Sequence, residues 1–90
     1  MADTHRPLGL DGWSELILTF PTDPILRARL AAELIRMGRF EEAEQQLTTC
    51  LELAPAHTRP RLLIVVLKAR AKMAARRAAL ISEDIFVDLQ

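Results

Sequence analysis

Residues 24–57 read PILRARLAAELIRMGRFEEAEQQLTTCLELAPAH, and this stretch decides the fold. Thr22-Asp23-Pro24 is a helix start. Asp23 is placed to cap, and Pro24 takes the first helical position, where its missing N–H is not needed. Over the helix predicted from Pro24 to about Met37, Leu26, Leu30, Leu34 and Met37 line one face. Arg27, Arg29, Glu33 and Arg36 lie largely off it. Gly38 stops the helix, because a left-handed turn residue costs least as glycine. A second helix is predicted from about Phe40 to Ala54, with Ala43, Leu47, Cys50, Leu51 and Ala54 as its buried stripe. Glu41, Glu42 and Glu44 fall in its first turns, where negative charge offsets the helix dipole. Pro55 closes it.

Working outward, Asp11 is placed to cap a short helix from about Gly12 to Phe20. Trp13, Leu16, Ile17 and Phe20 then share a face, and Pro21 ends the segment. Residues 1–10 are polar, carry Pro7 and Gly9, and read as a flexible lead-in. On the other side, a long helix starts near Pro60 and reaches about Ile81. Its first half, Leu62 to Leu67, is apolar on every side, so it needs cover on more than one face. The preceding helix pair supplies one cover. The other is the chain's own tail, a second copy or a different protein. The second half is basic and alanine-rich. Residues 82–90 form a tail that switches sign, with Glu83, Asp84 and Asp88 among Ile85, Phe86, Val87 and Leu89. That pattern suits a tail folded back over Leu62 and Val66, in its own chain or in a second copy.

Composition agrees with packed helices. The 90 residues make one small domain, half of them hydrophobic and only four aromatic (Trp13, Phe20, Phe40 and Phe86). A core built from Leu, Ile, Val and Ala is expected at residues 11–81. A chain this short buries a modest share of its surface, which leaves room for stabilisation by a partner or by self-association. The net charge is zero, so bulk charge points to neither nucleic acid nor membrane. One cysteine cannot form an intrachain disulfide, which is compatible with a cytoplasmic location. The longest apolar run is far too short to cross a bilayer.

The spacing Leu30-Ala31-x-x-Leu34, Gly38-x-Phe40-x-x-Ala43, Leu47, Cys50-Leu51, Leu53 and Pro55 resembles a tetratricopeptide repeat of 34 residues. The resemblance covers one full repeat. Residues 13–21 resemble the end of a preceding repeat, and residues from Thr58 the first helix of a following one. Arg27 stands where the family usually has a large aromatic residue. Lys68 replaces a bulky residue, and no glycine follows where the next turn would be due. The resemblance implies an all-α antiparallel array of about four helices, a helix-turn-helix hairpin with capping helices. It also implies a concave surface that holds a peptide or helix, lined here by Ile25, Ala28, Ala32, Ile35 and Arg36 and continued by Leu62, Val66, Ala69 and Arg70. These same residues are also placed to pack against Trp13 or the tail. The Lys and Asn residues of the carboxylate-clamp versions are absent, so a chaperone-tail receptor is not implied.

No constellation supports catalysis or a cofactor. His5 and His57 are isolated, with no carboxylate or cysteine at metal-ligand spacing. Cys50 falls where the repeat wants a small buried residue, with no histidine near in sequence to activate it. The three glycines are not clustered into a phosphate loop. Seven Lys/Arg and no acid lie between Arg59 and Arg77, a helix able to track phosphates, but no aromatic residue is interleaved for base stacking. The expectation is therefore a non-enzymatic protein–protein interaction module, a small adaptor or chaperone holding an apolar helical or extended segment. Its size resembles that of the repeat-like chaperones of bacterial secretion systems, an analogy of fold and size. The alternatives are a self-assembling homo-oligomer built on the last helix and, behind it, a nucleic-acid-binding accessory protein.

Overall fold

The computed structural model describes residues 9–88. Among them are four helices and no strand: α1 (Leu10–Thr19), α2 (Pro24–Arg36), α3 (Phe40–Leu53) and α4 (Arg59–Asp88). The protein is all-α, as expected. Helix α2 packs along α3, α4 lies against both, and α1 touches α2.

The central hairpin is built from the signals in its sequence. The Asp23 carboxylate accepts a hydrogen bond from the Ile25 N–H at 2.9 Å, and Pro24 opens α2. At its other end Met37 is the last half-helical residue and Gly38 adopts φ 78°. The Gly38 N–H donates to the Ile35 carbonyl at 3.0 Å and the Arg39 N–H to the Leu34 carbonyl at 2.9 Å. This paired closure satisfies carbonyls that the helix would otherwise leave open. Arg39 then forks onto the Glu42 carboxylate in the first turn of α3. Helix α3 ends at Leu53, with extended Ala54 directing the chain to Pro55. The Thr58 hydroxyl and the Arg59 N–H both donate to the Pro55 carbonyl, turning the chain into α4.

The core is one cluster, in which Leu30, Ala31, Leu34 and Ile35 of α2 meet Ala43, Leu47 and Cys50 of α3 and Leu62, Val66 and Met73 of α4. Ala31 and Ala43 are fully buried. Trp13 and Ile17 of α1 pack against this cluster from the side. Arg27, half-buried, reaches across to α3 and donates to the Gln46 carboxamide oxygen at 3.2 Å.

Several expectations are corrected. Helix α1 begins at Leu10, inside the stretch read as a lead-in, and Asp11 lies in its first turn instead of capping it. Phe20 and Met37, read as sharing the apolar faces of their helices, are about half exposed, each being the residue at which its helix ends. Ile35, not assigned to the hairpin's inner face, is buried. The last helix does not stop at Ile81: the backbone continues helical to Asp88. A continuous helix carries residue 86 roughly 36 Å beyond residue 62 at ~1.5 Å per residue, so the tail cannot fold back over Leu62 of its own chain. The rest of the expected lead-in, the final two residues and the side chains after Ile81 lie outside the described residues.

Candidate functional site

The candidate site is the crevice between α2 and α4. Ile25, Ala28, Arg29 and Ala32 of α2 and Leu62 and Val65 of α4 line an apolar depression of about 430 Å³. Ala32 is shared with a second one, of about 190 Å³, completed by Ile35, Lys68, Ala69 and Lys72. Ile35 is shared in turn with a third, of about 420 Å³, which includes Arg36, Met37, Arg76 and Leu80. The result is one groove running the length of α2. Its upper floor is apolar and small-residued, and cations stand along its α4 edge.

The helix geometry explains which expected residues line the groove. Ile25, Ala28, Ala32 and Arg36 recur every three or four residues on the outer face of α2, and all four line it. Arg36 holds Glu33 in an ion pair one turn back. Ile35 and Leu62, both buried, form the floor. Ala69 lines the middle. Val66 does not line it: it is fully buried between the helices. Arg70 is on the far side of α4, where its guanidinium meets the Glu44 carboxylate of α3 at 2.7 Å.

Both corrections have one cause. Helix α4 rests on α2 and α3 together, so its central stripe, Leu62, Val66 and Met73, is spent on the core. The groove wall is the next stripe around the helix, Val65, Lys68 and Lys72, at i, i+3 and i+7. These three were missed, as was Arg29. Their spacing is visible in the sequence, but which flank of α4 turns toward α2 is not.

The electrostatics are one-sided. Among the described residues the ion pairs are Arg36–Glu33, Arg39–Glu42 and Arg70–Glu44. Arg29, Lys68 and Lys72 are in none of them, and no acid lines the two upper depressions. Three further cations of α4 are engaged within the fold, while Arg61 is exposed. Arg59 donates to the Ala54 carbonyl and Arg76 to the Ile35 carbonyl, while Arg77 stacks over the Phe40 ring at 5.3 Å.

The groups considered for chemistry are apart. His57 is exposed in the α3–α4 turn, and Cys50 is fully buried. Burial pushes the Cys50 thiol above its ordinary pKa, which disfavours the thiolate needed of a nucleophile. No group of three or more His, Cys, Asp or Glu among the described residues is placed to hold a metal ion. No helix among them is long and apolar enough to cross a membrane.

No family model matches the chain, and no curated protein or solved structure is significantly similar to it.

Proposed function

We propose that this protein is a small tetratricopeptide-like interaction module that holds an apolar helical segment of another protein in the α2–α4 groove. The observation that carries this reading is the groove: an apolar floor edged by Arg29, Lys68 and Lys72, with no acid in its upper two depressions. It fits an amphipathic helix whose apolar face is flanked by Asp or Glu. The buried Ala31 and Ala43, the Gly38 turn and the packing of α4 on both hairpin helices support the repeat-like part of the proposal. Action as an adaptor or chaperone, without catalysis and in the cytoplasm, belongs to the same reading. Nucleic acid is the weaker alternative, because Arg59, Arg70, Arg76 and Arg77 are engaged within the fold.

Fluorescence anisotropy with labelled amphipathic helical peptides tests the proposal. An acid-flanked peptide should bind at least tenfold tighter than a base-flanked one of the same apolar face. Val65→Glu, at a half-exposed wall position, should abolish binding with the far-UV spectrum unchanged. No preference between the peptides, or full binding by the variant, overturns the reading. Tighter binding of single-stranded DNA than of either peptide would favour the alternative.

A further inference from the structure

The outer face of α4 carries a second, separate surface. Counting along the helix in alternating steps of three and four from Ile64 reaches Leu67, then Ala71, Ala74 and Ala78, then Ile81 and Ile85. Every position on this seam is apolar. Ile64, Leu67 and Ile81 are 55%, 54% and 58% exposed, and the three alanines are exposed between them. Ile85 continues the register on the same unbroken helix. The stripe lies on the side of α4 turned away from the Leu62, Val66 and Met73 stripe that packs on the hairpin. From residue 64 to residue 85 it runs roughly 32 Å at ~1.5 Å per residue step. Apolar repeats of three and four are what two helices need to interlock their side chains along a seam.

The pattern also says what covers it. Bulky residues occupy both ends and alanines the middle, so the seam reads much the same in either direction. That is the property of a self-complementary surface, in which the same patch serves both copies of a two-fold pair. The small middle lets two backbones approach closely, and the bulky pair at one end then meets the bulky pair at the other. Charge selects the direction. Arg59 and Arg61 stand at the start of α4, and Glu83, Asp84 and Asp88 near its end. Antiparallel pairing brings the acidic end of one helix alongside the basic start of the other. Parallel pairing sets like charge on like.

We infer that the protein forms a homodimer by antiparallel pairing of α4 with α4 of a second copy, through the seam from Ile64 to Ile85. The groove between α2 and α4 lies on a different flank and stays open in this dimer. The inference does not depend on the proposed ligand of that groove.

Sedimentation equilibrium of the full chain at tens of micromolar should give twice the 10.1 kDa chain mass. Leu67→Glu, at a position exposed in the single chain, should halve that mass with helicity retained. Val65→Glu should leave it unchanged. Direction is read by cross-linking Lys68→Cys chains mixed with Ser82→Cys chains, using a short bismaleimide; the native Cys50 is buried. Antiparallel pairing joins unlike chains and leaves each variant alone uncoupled. A monomer mass for the native chain, an unaltered dimer in Leu67→Glu, or coupling of each variant with itself overturns the inference.

Discussion

Ala31 and Ala43 set how closely α2 and α3 approach. Both are fully buried in the core shared with Leu34 and Leu47. Neither site has room for more atoms, so Ala43→Leu should force the hairpin apart and cost about 1–3 kcal/mol. Urea denaturation measures this, and a variant as stable as the parent would mean that α3 does not pack by this face. Cys50 sits in the same core without solvent access, and burial raises its pKa above the ordinary 9.0. The sign follows from linkage. Below the unfolded-state value both states hold the proton and the site contributes no pH dependence. Above it the unfolded chain ionises while the folded chain resists, so stability should fall as pH climbs past about 9 toward the raised folded value. The comparison that checks this is the pH profile of Cys50→Ala: after its uniform loss of stability, its alkaline slope should be shallower than that of the parent. Identical slopes would show that Cys50 titrates as freely folded as unfolded.

Elements here are delimited by a few residues with special backbone demands. At Gly38 the chain takes φ 78°, while a Cβ added there would meet nothing within 4 Å. The demand is therefore conformational and not steric. Gly38→Ala should cost roughly 1 kcal/mol, and Gly38→Asn, which tolerates the left-handed region better, should cost less. Equal melting temperatures for both variants and the parent would show that the turn can close another way. This dependence on local chemistry is why α2 and α3 were legible in the sequence almost to the residue: Asp23, Pro24, Gly38 and Pro55 each mark a terminus. Helix α4 lacks such a mark. Nothing between Pro60 and Asp88 breaks it, and the switch from basic to acidic composition near Ser82 reads as a boundary although the backbone does not respond to it. The groove was half legible for a related reason. A three- or four-residue period identifies the faces of a helix, and the outer face of α2 named from it lies along the groove. Which face of α4 meets the groove depends on how α4 rests on two helices at once, a tertiary fact that displaced Val66 and Arg70 and brought in Val65, Lys68 and Lys72.

The whole molecule is a flat slab, with principal extents of 50 × 39 × 18 Å. A slab this thin has one shared core and large faces, and its stability should be graded from the middle outward. Helices α2 and α3 share the largest part of the buried cluster, and α4 is tied to them by Val66, Met73, the Arg70–Glu44 pair and the Arg76 bond to Ile35. Helix α1 is held more weakly. It touches α2, none of residues 11–19 is buried, and the buried Trp13 indole Nε1 has no hydrogen-bond partner among the described residues. A donor left unpaired opposes the docking that its ring favours. Trp13→Phe should therefore lose little ring burial while removing the unpaired donor, and change stability by less than about 1 kcal/mol. Amide hydrogen exchange provides the wider test. Amides of Leu30 to Leu34 and Ala43 to Cys50 should exchange most slowly, near the rate set by global unfolding. Those of the first half of α4 should follow, and those of α1 should exchange orders of magnitude faster, through local detachment. Protection in α1 equal to that in α3 would mean that the four helices unfold as one cooperative unit and that Trp13 anchors α1 as firmly as the hairpin anchors itself.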